Sequence, residues 1–225
     1  MTDNAQAFMP SKDSFQEQVF QGVYGTYTIT HSDAIEVQRY RIALLVCGVA
    51  FSAGLMQWLV QGPTWAWLWL IPMAIGLGLA LNWIHIYLRP LHLALQVFWA
   101  LGCLGALLLA LRVGGGERML SSLAEQPLWT WAVGPLFAAL TGVGFKEFFC
   151  FRRPEAIGLT LLIPIALVGH LSSLLNEATV IGLLSSSALL LVILALRKFG
   201  MEAAADVGDK SVFAYLNRQQ SAEAL

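Results

Sequence analysis

Six stretches of roughly twenty residues with almost no charge dominate this chain, and few folds can accommodate them. They run over residues 42–60, 65–88, 91–111, 127–145, 156–175 and 178–196. A helix rising 1.5 Å per residue needs about 20 apolar residues to cross roughly 30 Å of hydrocarbon. Such a helix satisfies all its backbone polar groups internally, as a bilayer demands. A transmembrane β-barrel would show alternating segments of about 10 residues, and these runs do not alternate. Charged residues make up 12% of the chain, against about 25% in soluble domains. The fold class that follows is all-α, a polytopic helical membrane protein with six transmembrane helices. Residues 42–196 form the membrane domain, between an amino-terminal segment (1–41) and a carboxyl-terminal tail (197–225). The first 41 residues are polar and hold no apolar core of a signal peptide, so insertion is expected to rely on the first span.

Lysine and arginine set the orientation. Arg39, Arg41, Arg89, Lys146, Arg152, Arg153, Arg197 and Lys198 flank the spans on one side, and only Arg112 and Arg118 on the other. The positive-inside rule then puts both termini in the cytoplasm. Trp58, Trp65, Trp67, Trp129 and Trp131 cluster at the opposite ends, as an outer aromatic belt. A formal net charge of −1 gives no sign of a nucleic-acid partner. Cys47, Cys103 and Cys150 are scattered and form no metal or disulfide frame.

Local signals fill in the connections. Residues 1–13 read as a polar tail, and Phe15 to Thr30 as a short strand or hairpin. Asp33 and Glu36 have capping-box spacing for a helix running on into the first span. Residues 61–64 form a turn, Arg89-Pro90 a very tight connection, and 112–126 a loop with one interfacial turn. Asn176-Glu177 turns span five into span six, and a surface helix is expected over 209–220. LIPMA at 70–74 echoes LIPIA at 162–166, and GVAF at 48–51 echoes GVGF at 142–145. Three spans per half would make such a repeat an inverted one. Pairs of small residues four apart, Gly76 with Ala80, Ala138 with Gly142 and Gly182 with Ser186, suit close helix contact.

Several residues are candidates for function, each beside a plainer role. Gly144 to Ala156 packs four phenylalanines, Cys150, Lys146, Glu147, Arg152, Arg153 and Glu155 into one span end and loop. The stretch serves either as an interfacial anchor or as a docking surface for anionic lipid or a protein partner, through Lys146, Glu147, Arg152 and Arg153. Pro72 and Pro164, with His170 and Ser173, would line a translocation path; prolines also simply bend membrane helices. His170 is the one histidine well inside a span, and Ser173 and Glu177 would share its face. Bonding to a backbone carbonyl would equally explain it. Asn82, His85 and Arg89 would fall on one side of the second span's end. With His92 they could contact an anion, or ligate a pigment magnesium or haem iron, or anchor helix ends. No nucleophile elbow surrounds any serine and no Glu-x-x-His repeat occurs, which points away from catalysis. No metal site is indicated and the cofactor stays unknown.

The GVGFKEFFCFRRPEA segment, with Gly22 to Thr30, Asp33, Glu36-Val37 and Tyr40-Arg41, resembles an uncharacterised family of cyanobacterial integral membrane proteins. The resemblance would cover Phe20 to Lys198. It implies an oxygenic photosynthetic source and a cytoplasmic or thylakoid membrane. It implies no activity, and carries over no catalytic residue. The expected function is that of a non-catalytic accessory or assembly factor with a protein partner in the membrane or on its cytoplasmic face. Two alternatives stand beside it: a small-solute transporter with inverted three-helix repeats, and a pigment- or haem-binding protein.

Overall fold

The computed structural model describes residues 17–223. The expected tail over 1–13 lies outside them. Two antiparallel strands open the described chain, β1 (Gln18–Gly22) and β2 (Gly25–Ile29), paired from Gln18 opposite Ile29 to Gly22 opposite Gly25. Then come α1 (His31–Gln61), a 3-10 turn at Ala66–Trp69, α2 (Leu70–Trp83) and α3 (Arg89–Arg112). They are followed by α4 (Gly116–Glu125), a second 3-10 turn at Pro127–Trp129, α5 (Thr130–Phe151), α6 (Pro154–Leu171) and α7 (Glu177–Lys198). Two short helices, α8 (Ala203–Val207) and α9 (Lys210–Glu223), close it. Six of these segments, counting each 3-10 turn with its helix, are long and apolar enough to cross a membrane.

The six pack as a ring in sequence order. α1 lies against α2 and α7, α3 against α5, and α6 against α5 and α7, while α2 and α3 touch more sparsely. Very close approaches tighten two of the seams. A Cβ on Gly76 would come within 2.9 Å of backbone atoms of Ala43 and Cys47, and one on Gly105 within 2.0 Å of the Ala132 carbonyl. Of the expected small-residue pairs, Gly76 and Ala80 are buried at the first seam, whereas Gly182 and Ser186 are exposed. The middle of the ring is filled by Leu44, Cys47, Leu77, Leu140, Val143, Leu159 and Ile163.

Several boundaries differ from the sequence reading. The capping box sits one turn earlier, with Thr30 as N-cap. Thr30 is extended, its backbone N–H donates to Asp33 Oδ2 at 2.7 Å, and the Asp33 N–H returns to Thr30 Oγ1. Helix α2 stops at Trp83, not near residue 88, because Ile84 turns extended. Asn82, His85 and Arg89 therefore share no helix face. Residues 116–125 form a whole amphipathic helix that seats Met119 and Leu120 on Ala66, Leu109 and Trp67. Positive φ at Gly114 and Gly115 allows the reversal into it.

The connection between α5 and α6 is not a long loop but two residues, Arg152 and Arg153. Arg152 takes a left-handed conformation and donates its N–H to the Phe148 carbonyl at 2.7 Å, and Pro154 opens α6. The two LIP segments are also inequivalent. Pro72 is the third residue of α2, just behind the 3-10 turn, whereas Pro164 is the eleventh residue of α6.

On the face that carries both described ends, the hairpin and the last two helices form a small cap. Asp209 Oδ2 accepts from the Val23 N–H at 2.8 Å, Ser211 Oγ from the Tyr24 N–H at 3.0 Å, and Lys210 donates to Asp33 at 2.8 Å. Tyr24 stacks on Tyr215 and Tyr87 on Phe213, over a core of Ile29, Val37 and Val207.

Candidate functional site

Under this cap lies a cluster of buried charge. Tyr40 and Arg41 come from the third turn of α1, Lys146 and Glu147 from the end of α5, Lys198 from the last turn of α7, and Asp206 from α8. All are buried, Glu147 completely. Glu147 accepts from the Tyr40 hydroxyl at 2.7 Å, from Lys198 at 2.7 Å and from Lys146 at 3.2 Å. Asp206 accepts from Arg41 Nε at 2.8 Å, with Nη2 as ion-pair partner of the same oxygen at 2.6 Å, and pairs closely with Lys198. The rest of the Arg41 guanidinium donates to the carbonyls of Met201 and Glu202. Both ammonium groups lie over the rings of Tyr40 and Phe151, Lys198 at 4.6 Å from the latter's centroid.

Three cations thus share two carboxylates, an excess of one positive charge in a place that water does not reach. Separating buried ions from their partners is costly, so the cluster ties α1, α5, α7 and the terminal segment into one unit. At its rim Arg197 donates to Glu155 Oε2 at 3.1 Å, while Glu155 Oε1, as near to Arg197, has no aligned donor.

Sequence reasoning found only part of this cluster. Lys146 and Glu147 were expected at a docking surface; both are buried, so only Arg152 and Arg153 remain for one. Arg152 is exposed, and Arg153 Nη2 contacts Met201 Sδ at 3.1 Å. Arg41 and Lys198 read as ordinary span-flanking charges, and Asp206 carried no signal at all. The available hint was Lys146-Glu147, an ion pair inside a helix and one turn short of its end.

Two of the histidines, His92 and His170, prove to be bonded to helix ends. His92 Nε2 lies 2.6 Å from the Leu81 carbonyl in the last turn of α2, and His170 Nε2 lies 2.9 Å from the Leu123 carbonyl of α4. His85 stands in the α2–α3 connection, 3.7 Å from Glu36; burial, the largest influence, holds its pKa below the ordinary value despite that carboxylate. Ser173 is not on the His170 face, because α6 ends at Leu171 and Ser173 sits in the turn with positive φ. Among the described residues, no group of three or more His, Cys, Asp or Glu is placed to hold a metal ion. In the cap, hydrogen bonds from Ser211 and the Val23 N–H hold the Asp209 carboxyl below the usual carboxylate range.

At the other end of the ring is an apolar cavity of about 110 Å³. Phe51 and Phe137, with centroids 5.5 Å apart, stand at its inner end, and Leu120, Leu123 and Ala124 of α4 close one side. Trp58, Trp69, Met73 and Leu184 complete most of the wall. His170, Thr130 and Glu177 are its polar members, and the exposed Trp69 and Glu177 mark its mouth on the face away from the termini. Thr130 Oγ1 is buried without a partner in the protein. Such a hydroxyl normally finds a hydrogen bond. Beyond the phenylalanines the packed middle of the ring separates the cavity from the ionic cluster.

Compared with known proteins, the chain matches over residues 79–215 a family model described as "Uncharacterized integral membrane protein (DUF2301)". No curated protein and no solved structure matches it.

Proposed function

The chain belongs to that family of integral membrane proteins, and on this premise we propose that it is a non-catalytic accessory protein that holds a small, mostly apolar molecule inside its helix ring. The observation that carries this reading is the cavity at the mouth end, mostly apolar, with the unpartnered hydroxyl of Thr130 in its wall beside His170 and Glu177. Ligand sites are commonly apolar concavities with a few polar groups that fix orientation, and apolar cavities of similar size take up small hydrocarbons. The occupant would be chain- or ring-like, with a hydroxyl or carbonyl to meet Thr130. The lysine and arginine bias supports cytoplasmic termini, and with them a cytoplasmic cap from which a protein partner could be engaged. The cytoplasmic or thylakoid membrane of a photosynthetic host is the setting that the resemblance implies.

Trp58 and Trp69 line the cavity and report its occupancy. The full chain in lipid nanodiscs is titrated with 3-bromopropan-1-ol, small enough for the cavity, whose bromine quenches indole fluorescence on contact. Saturable quenching is expected, weakened at least fivefold in Ala124→Phe, whose ring would fill the space beside α4. Quenching that rises linearly with probe and is unchanged in Ala124→Phe would mean mere partitioning into lipid, and would overturn the reading.

A further inference from the structure

The ionic cluster has an asymmetry that clamping alone does not require. Arg41, Lys146, Lys198 and Glu147 all stand on the long helices α1, α5 and α7. The second carboxylate does not. Asp206 is delivered by α8, eight residues past the end of the last span, in a helix bounded by extended Glu202 and by Gly208 at φ +73°. Without it, the helices present three buried cations to a single carboxylate. A guanidinium fork, an ammonium and two aromatic rings would then surround the vacated position. That is the chemistry of an oxyanion site: arginine offers charged, directional donors, and water is excluded. Asp206 lies as such a guest would, with one oxygen on Arg41 Nε and Nη2 and the other on Lys198.

We propose that Arg41 and Lys198 form a binding site for a phosphate group, and that Asp206 is its built-in occupant, displaced when the phosphate enters. The cap would follow, since α8 leads directly into Asp209 and Ser211, which hold the hairpin turn. Phosphate binding at the helix bundle would thus release the cap. The phosphate could belong to a lipid headgroup or to a free phosphate ester, because the recognising chemistry is shared.

The test opens the site by substitution. Full-chain protein and Asp206→Ala are melted in neutral detergent, followed by tryptophan fluorescence, in inorganic phosphate and in chloride of equal ionic strength. Phosphate at roughly ten times its dissociation constant should raise the melting temperature of Asp206→Ala by about 3–6 °C. The natural chain should move far less, and the double variant Arg41→Gln/Asp206→Ala not at all. Nanodiscs separate the sources: stabilisation of Asp206→Ala by phosphatidic acid over phosphatidylcholine assigns a lipid, and a response to dissolved phosphate alone assigns a soluble ligand. If Asp206→Ala does not survive purification, Asp206→Asn, which keeps shape without charge, takes its place. Variants that respond to phosphate no more than to chloride, or no more than the double variant does, would overturn the proposal and leave the cluster a clamp.

Discussion

Charge counting in the cluster predicts an inequality between two substitutions one residue apart. Glu147→Gln leaves three buried cations facing one carboxylate. Lys146→Met leaves two of each sign. Glu147 holds Lys198 at 2.7 Å and Lys146 at 3.2 Å. At an effective dielectric of about 20, each attraction is worth roughly 5 kcal/mol before desolvation is subtracted. The two ammonium groups sharing that carboxylate lie on the order of 6 Å apart and repel by about 3 kcal/mol on the same scale. Glu147→Gln loses both attractions and the charge on the Tyr40 hydrogen bond, while the repulsion stays. The net cost should match that of breaking a buried pair, about 3–5 kcal/mol. Lys146→Met loses one attraction but is relieved of the repulsion and of one desolvated charge, so its cost should fall near 1 kcal/mol. A chain of this size loses about 2–4 °C in melting temperature per kcal/mol, so Glu147→Gln should melt on the order of 10 °C lower and Lys146→Met only a few degrees lower. Heating purified protein in detergent and measuring the monodisperse fraction by size exclusion provides the readout. Equal losses, or a greater one for Lys146→Met, would refute the charge count.

Two further expectations follow from single residues. Gly105→Ala puts a methyl group 2.0 Å from the Ala132 carbonyl, so α3 and α5 must separate; the cost should exceed about 2 kcal/mol, read as a lower melting temperature, with little effect from Gly134→Ala, whose Cβ meets nothing nearer than 3.9 Å. His85 has its pKa lowered by burial, so the unfolded chain binds its proton first; stability is complete above the ordinary value near 6.5 and falls as pH drops from there toward the lower folded value. His85→Phe should flatten the stability–pH curve in that window, and an unchanged slope would exclude His85 as its source.

The long helices were legible because hydrophobic runs of span length leave a bilayer-crossing helix as the natural way to satisfy the backbone. Their ends were less so. Where α1 starts depended on a Thr30–Asp33 side-chain exchange, and the α5–α6 join on an arginine adopting a left-handed turn, which arginine does not advertise. The ionic cluster was hidden for a different reason. Tyr40 and Glu147 stand 107 residues apart, and Arg41 and Asp206 165. A charge at the edge of an apolar run looks alike whether it faces headgroups or a partner from a distant helix. The cavity was hidden more completely, since Leu, Phe and Trp have the same chemistry whether they fill a core or line a hole in it.

The two ends of the ring place different demands on the same helices. At the termini end, α1, α5 and α7 each contribute a charged group that must not be left unpaired, so that end can rearrange only if charges are exchanged together. At the mouth end the walls are apolar, and α4, a ten-residue helix seated by Met119 and Leu120, is held by packing and by the His170 bond to its Leu123 carbonyl. Contacts of that kind give way by small steps. Adjustment to an occupant should therefore concentrate in α4 and the start of α7, and be stopped by the fully packed layer at Leu77, Leu140 and Leu159. Communication between cavity and cap would have to pass as rigid movement of α1, α5 or α7, the helices that contribute both to the cavity wall and to the cluster.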